Sequence, residues 1–277
     1  MLKLLFWNTY RKSLHEQILE LKEEKNANII ALVENVGDDN NFLSGLENVS
    51  FKKATGNINH NRKIFYNSDF FNIKTIHEHG RYTIFELNYF KKNIKIILAL
   101  VHFPSKLHAD DDAYFSYCVS LRNNIEKKEN ELDTRNTVIV GDFNMNPFES
   151  GFLNATGISC TGIKSVALKY AERTISGEKF RCFYNPAWSH LGDSSRGNVP
   201  GTYYYNSSQF NNLYWNMFDQ VIIRPDLLRF FDDDNFEIIT SIKGRSLLKD
   251  NNGVQTIDKK NSDHLPLFFQ LKSNSNE

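Results

Sequence analysis

Cysteine is scarce in this 277-residue chain: Cys118, Cys160 and Cys182 are odd in number and far apart. With no Cys-x-x-Cys pair and no even framework, neither a disulfide scaffold nor a thiolate metal site is expected. Three reduced thiols fit a cytoplasmic protein. Net charge is missing too, with 33 Lys plus Arg against 33 Asp plus Glu. That argues against nucleic-acid binding through bulk positive charge. A local basic groove would have to be balanced by acid elsewhere, and Asp110-Asp111-Asp112 and Asp232-Asp233-Asp234 are two acidic runs of that kind. Long apolar runs are also absent. Nothing approaches the roughly 18 residues of a membrane-spanning helix. The apolar start ends at Asn8, too short for a signal-peptide core and without a cleavage site. Neither membrane insertion nor secretion is expected. No internal repeat or low-complexity linker interrupts the chain.

What is present is core material, with 40% apolar residues, 13% of the chain being aromatic. At about 150 residues per domain, this length allows one large domain or two small ones. Without a linker, one domain over 1–272 is expected, with a loop-rich insertion at 157–216 and a frayed tail at 273–277. Residues 2–8 read as a buried strand. Ser13 is placed to cap a helix whose apolar face is Leu14, Ile18, Leu19 and Leu21. Residues 29–34 form a second strand, completing a β-α-β unit. Strands then follow without intervening helices at 49–54, 63–66, 71–77, 81–89 and 95–102. A helix is expected at 113–132, and further strands at 137–140, 218–223, 236–242 and 265–271. Mixed strand connections with two main helices suggest two packed sheets flanked by helices.

The polar residues sit where such strands end. Apolar runs terminate at Asn8, Glu34, His102 and Gly141-Asp142-Phe143-Asn144. Asp219 opens another run, and Ser262-Asp263-His264 stands just before the last strand. Side chains at adjoining strand ends converge, and a rim of carboxylates, amides and imidazoles suits a hard cation and a phosphate. Asp142 and Asn144, two residues apart on extended backbone, share a face, and Gly141 permits close backbone approach.

Trp7-Asn8, Glu34, His102, Gly141-Asp142-Phe143-Asn144, Asp219 and Ser262-Asp263-His264 together resemble the endonuclease/exonuclease/phosphatase superfamily. Deoxyribonuclease I and the apurinic/apyrimidinic endonucleases typify it. The motifs run from residue 7 to residue 264 in the family's order. The resemblance implies a four-layer α/β/β/α sandwich of two mixed sheets, a DNase I-like fold. It implies Mg²⁺, with Mn²⁺ as the alternative ion, held by Glu34 with Asn8 and Asp263. By the same resemblance, Asp142 orients or deprotonates water and Asn144 holds phosphate or nucleophile. His264, paired with Asp219 or Asp263, donates to the phosphoryl oxygens, and His102 stands on the phosphate's other side.

Taken singly, each residue has a plainer reading: a solvated Glu34, a structural His102, a turn-capping Asp142 or Asp263. Six ordered motifs at once favour the site. The position before the metal Glu is often Gln in this family and is Val33 here. Asn185-Pro186-Ala187-Trp188-Ser189-His190 resembles the Pro-Ala-Trp-Cys-Asp-Arg signature of inositol polyphosphate phosphatases but lacks its Cys-Asp-Arg, which disfavours that branch. Tyr203-Tyr204-Tyr205 and Tyr214-Trp215 offer rings for packing or for base stacking. Arg181, Arg196 and Lys106 read as surface charges, and His190 and His108 carry no assignment. The function expected is a Mg²⁺-dependent phosphodiester hydrolase, first of all a nuclease with nucleic acid as substrate. The alternatives are a phosphatase or phosphodiesterase on a small-molecule or lipid phosphoester, and a non-catalytic nucleic-acid-binding module. DNA and RNA, endo- and exonucleolytic cleavage, and any oligomeric state are equally compatible with these residues.

Overall fold

The computed structural model describes residues 2–46, 50–55, 61–193, 199–208 and 211–272. Strands of the first sheet are β1 (Leu2–Asn8), β2 (Ile29–Val33), β3 (Phe51–Lys53), β4 (Arg62–Asn67), β12 (Glu237–Ile238) and β13 (Leu267–Leu271). Those of the second are β5 (Phe71–His79), β6 (Tyr82–Tyr89), β7 (Ile94–His102), β8 (Thr137–Asp142), β9 (Cys160–Thr161), β10 (Phe183–Tyr184) and β11 (Asp219–Ile223). Their orders are β12-β13-β1-β2-β4-β3 and β5-β6-β7-β8-β11-β10-β9. β1 runs parallel to β2 and β7 parallel to β8; β11 is antiparallel to β8 and β13 to β1.

Alternation along the central strands explains the layering. Leu98, Leu100, Val138, Val140, Val221 and Ile223 belong to one core with the first sheet and with Ile18 and Leu21 of helix α1 (His15–Lys25). Residues of opposite parity, Ile97, Ala99, Val101, Ile139 and Ile222, pack instead with Tyr114, Cys118, Leu121 and Ile125. These last four lie on the long helix α3 (Asp111–Glu131), α2 being the short Asp39–Ser44. The result is a helix–sheet–sheet–helix sandwich. Among the described residues, no helix is long and apolar enough to cross a membrane.

Strand ends fall within two residues of expectation, apart from one strand. Residues 236–242 split: β12 pairs with β13, while Ser241–Ile242 turns back onto Arg245–Ser246 through Lys243 and Gly244, both at positive φ. α1 is capped by Leu14 rather than Ser13, because its first turn closes from Ile18 N–H to the Leu14 carbonyl. Leu19 is only partly buried. α2, which was not expected, is capped by the Asp38 carboxylate accepting from Asn40 N–H. α3 starts two residues early because Asp110 accepts from Ala113 N–H at 2.9 Å. Val49, at the start of one expected strand, and the tail 273–277 lie outside the described residues. The loop-rich stretch supplies β9 and β10 to the sheet edge and carries a hairpin of Glu172–Ile175 with Glu178–Arg181.

Two details hold the second sheet in register. Gly141 faces Val101 across β8 and β7, and a Cβ there would lie 2.1 Å from the Val101 carbonyl oxygen. Arg224, just past β11, is clasped by the fully buried Glu129 of α3 through Nε at 2.8 Å and Nη2 at 3.2 Å. Thr137 Oγ1 donates to the same carboxylate at 2.7 Å, and the guanidinium lies 3.7 Å from the Phe183 ring centroid. Gly141→Ala is expected to cost about 3 kcal/mol of stability through that clash, read as a fall in urea midpoint. Glu129→Ala leaves the buried guanidinium with only the longer contacts to Glu126 and the Cys182 carbonyl and is expected to cost about 3 kcal/mol. An unchanged melting temperature in Glu129→Ala would count against this anchor.

Candidate active site

The topology brings the polar strand ends to one rim. Asn8 and Val33 are register partners at the ends of parallel β1 and β2, and His102 and Asp142 at the ends of parallel β7 and β8. Antiparallel β11 begins at the same rim, with Asp219 opposite Asp142. The 262–264 segment is tied to β1: Ser262 Oγ donates to the Asn8 carbonyl at 2.7 Å, and Trp7 Nε1 donates to the His264 carbonyl at 2.9 Å.

Asp142 sits at the centre and is buried. Its Oδ1 accepts from Asn144 N–H at 2.8 Å; its Oδ2 accepts from Asn8 Nδ2 at 2.9 Å and Asn144 Nδ2 at 3.1 Å. Burial raises its pKa, against the pull of His264. The Asn8 bond crosses from one sheet to the other. Asn8 Nδ2 also reaches Glu34 Oε1 at 3.5 Å, while Asn8 Oδ1 accepts from Tyr10 N–H at 3.0 Å. Asn8 thus turns its NH₂ toward the carboxylates and its oxygen toward the Tyr10 turn. Asn144 likewise spends its NH₂ on Asp142 and, at 3.1 Å, on the Phe103 carbonyl. In this geometry it orients Asp142.

His264 Nδ1 lies 2.7 Å from Asp219 Oδ2, which selects Asp219 over Asp263 as its partner. Its Nε2 lies 3.8 Å from Asp142 Oδ2. Burial pushes the imidazole pKa down, but the Asp219 and Asp142 carboxylates raise it to about 10. The ring is therefore a cation at neutral pH, with Nδ1–H donating to Asp219. Thr202 Oγ1, accepting from Asp219 N–H at 3.0 Å, fixes the strand start. Across the cleft, Glu34 Oε1 meets His102 Nε2 at 3.1 Å. That bond, opposed by burial, keeps the Glu34 carboxyl below its ordinary pKa. Sequence reading missed Thr202, and the contact of the Tyr203 ring with His264, 4.9 Å between centroids, could not be read from spacing.

Glu34, Tyr10 and Arg11 all adopt left-handed backbone, with φ of 53°, 49° and 54°. For non-glycine residues this costs on the order of 1–3 kcal/mol each and persists only where surrounding bonds enforce it. Here Arg11 N–H donates to the Glu34 carbonyl at 2.9 Å, and Thr9 Oγ1 donates to the same oxygen at 3.1 Å.

Two sets of donors face a cation. Asp142, Asp219 and His264 offer ligand atoms within 4.8 Å of one another. His264 Nδ1 and Asp219 Oδ2 already bond each other, while the buried Asp219 Oδ1 has no hydrogen-bond partner. The second set is Glu34, ionised on the cleft wall, and Asp263, whose buried Oδ1 has no hydrogen-bond partner. Oxygen donors with an orphaned carboxylate oxygen fit a hard divalent ion, so the residues present are compatible with one.

Glu34, His102, Asp142, Asn144, Asp263 and His264 line a cleft of about 470 Å³ that also takes in Tyr10, Tyr203, Tyr205, Tyr214 and Leu107. Lys106 lines it too, with Nζ held by both Glu149 oxygens at 2.8 Å. Arg181 lies elsewhere, near Glu172 and Glu129. His190 is buried edge-on to Phe236, His108 sits in a turn on Ser105, and Arg196 is outside the described residues.

A DNase I-like sandwich with acid, amide and imidazole groups gathered at one rim is thus the class of protein defined by the geometry, and solved structures agree. An endonuclease/exonuclease/phosphatase protein from Bacteroides vulgatus superposes with a TM-score of 0.60 at 12% identity, over 98% of both chains. D. rerio TDP2 complexed with a single-strand DNA product gives 0.58 at 13%, over 98% of this chain and 99% of that one. A mannosyl-6-phosphatase from Bacteroides thetaiotaomicron gives 0.58 at 11%, over 99% and 100%. No family model and no curated protein sequence matches the chain. The chain has the endonuclease/exonuclease/phosphatase fold.

The raised pKa of His264 sets a pH dependence. In the folded state the group titrates near 10 and in the unfolded chain near its ordinary 6.5. Its charged interactions therefore stabilise fully below pH 6.5 and are lost progressively as pH rises toward 10. The gap in urea midpoint between wild type and His264→Gln is expected to be open at pH 6 and to close by about pH 10. A gap that widens over that range would contradict the charge assignment.

Proposed function

We propose that the chain is a divalent-metal-dependent phosphodiester hydrolase, and specifically a nuclease. The observation that carries this is the His264–Asp219 pair standing 3.8 Å from Asp142, with Glu34 and His102 in the same cleft. These are the groups that in-line attack on a phosphoester requires: a water-orienting carboxylate, a cationic donor for the phosphoryl oxygens and an anionic seat for a metal.

Asp142, held by Asn8 and Asn144, orients the attacking water and takes its proton. Protonated His264, kept in place by Asp219, donates from Nε2 to a non-bridging phosphoryl oxygen as negative charge builds there. His102 donates from the other wall. Glu34 and Asp263 are the residues that would hold Mg²⁺, or Mn²⁺ in its place. Such an ion, when bound, neutralises phosphate charge and steadies the leaving oxygen. The nuclease reading is supported by TDP2, a protein of the same fold seen with single-strand DNA product. A phosphatase or small-molecule phosphodiesterase is the second reading, favoured by the mannosyl-6-phosphatase of the same fold and by the chain's zero net charge. A cytoplasmic location is proposed from the three buried, unpaired cysteines.

The test is Mg²⁺-dependent hydrolysis of supercoiled plasmid, single-stranded DNA, RNA and a small aryl phosphodiester side by side. Polymer cleavage that falls at least about a hundredfold in Glu34→Ala and in His264→Ala is expected. Turnover of the small ester alone would replace the nuclease reading by the second one. Hydrolysis unchanged in both variants would remove the site assignment.

A further inference from the structure

The cleft is rich in rings and poor in free cations. Among the described residues, Lys106 is the one lysine or arginine that lines it, and Glu149 neutralises that ammonium. A duplex bound by counterion release needs several unpaired cations along its path, and among the described residues the lining supplies only the paired Lys106, with Arg11 and Lys12 at its edge. Three tyrosines of the lining, Tyr10, Tyr205 and Tyr214, are instead about half exposed, at 50%, 46% and 46%. Bases inside a duplex present no free face to such rings, whereas an unpaired base does.

Tyr10, which lines the cleft, and Arg11, which adjoins Glu34, are consecutive residues in left-handed backbone, one residue past the strand that supplies Asn8. Hydrogen bonds to Asn8 Oδ1 and to the Glu34 carbonyl enforce that turn. Regular helical or extended backbone would aim these side chains elsewhere, so the bonding network maintains an unfavourable conformation beside the reacting groups. The Arg11 side chain is 84% exposed, and its Nε lies 3.7 Å from Glu34 Oε2, beyond hydrogen-bond distance. The guanidinium is thus ion-paired with Glu34 at the edge of the site and, being largely exposed, free to exchange that loose pair for a phosphate.

We propose that Tyr10 and Arg11 form a substrate clamp at the mouth of the cleft. The Tyr10 ring stacks on an unpaired base, and the Arg11 guanidinium holds a non-scissile phosphate next to it. The substrate class is therefore single-stranded nucleic acid, a specificity that rests on the nuclease reading and narrows it. Planar guanidinium recognition of phosphate is geometric as well as electrostatic, and Arg11→Lys is not equivalent to wild type.

Binding separates the clamp from catalysis. Fluorescence anisotropy with a labelled ten-nucleotide oligo-dT and a ten-base-pair duplex, in EDTA, gives affinity without turnover. Wild type is expected to bind the single strand more tightly than the duplex. Tyr10→Ala should weaken single-strand binding about tenfold, with Tyr10→Phe close to wild type. Arg11→Gln should lower the slope of log affinity against log salt by about 0.7. In Mg²⁺ the same variants should raise KM on single-stranded DNA with little change in kcat. Equal affinity for duplex, no oligonucleotide binding by wild type, or Tyr10→Ala within twofold of it would overturn the clamp. If cleavage of polymers dependent on Glu34 persists in that case, the nuclease reading stands and only the clamp fails. If wild type cleaves no nucleic acid under any condition, the nuclease reading fails together with it.

Discussion

Asn8 joins the two sheets at the point where the chemistry is placed. Its amide donates to Asp142 across the gap between sheets, while its oxygen caps the turn that carries Tyr10. The apolar layers beneath have no directional preference; they bring the sheets together without deciding where one rim sits against the other. A buried carboxylate is intolerant of misplacement, because an unsatisfied acceptor there costs more than a made hydrogen bond gains. Asp142 therefore demands its donors, and Asn8 and Asn144 meet that demand from different sheets and segments. The Ser262 and Trp7 bonds add the third piece by tying the His264 loop to β1.

The site's electrostatics follow from that confinement. Asp142 and Asp219, both buried, would repel each other if ionised alone. His264 lies between them and stays charged far above its ordinary range because two carboxylates surround it. Glu34 is treated differently: it lies at the exposed side of the cleft and is kept ionised by a hydrogen bond from His102. One wall thus holds a preformed cation and the other a preformed anion. On the proposed reading, a phosphoester and a divalent ion would bring the complementary charges, with little reorganisation required.

Several left-handed residues stand in the same place. Tyr10, Glu34, Asn144 and Tyr214 line the cleft and Arg11 adjoins it, while Asp133, Ser159, Ser176 and Lys243 adopt similar backbone elsewhere, as do Asn26, Asn93 and Asn252, where asparagine tolerates it. Tyr, Arg and Glu lack that tolerance. Their conformation is sustained by the bonds radiating from the Glu34 carbonyl and from Asn8, so the contacts that seat the reacting groups also set the cleft's mouth.

Much of this was legible in the chain itself. Strand positions are local properties: apolar runs such as 2–7, 96–101 and 138–140 cannot remain in water and read as buried strands. The polar residues closing those runs had to converge once parallel strands lay side by side, so Asn8, Glu34, His102, Asp142, Asp219 and His264 could be picked out in advance. Their partners could not. Asp219 and Asp263 were equivalent candidates for His264 until β11 placed the first 2.7 Å from the ring, 45 residues away in sequence. The direction in which Asn8 turns its amide, toward a carboxylate 134 residues distant, is set by the Tyr10 turn. Sequence pattern encodes what neighbours along the chain prefer. The pairing of buried polar groups is decided only when the two sheets close and each group must find its bond among whatever the fold has brought within 3 Å.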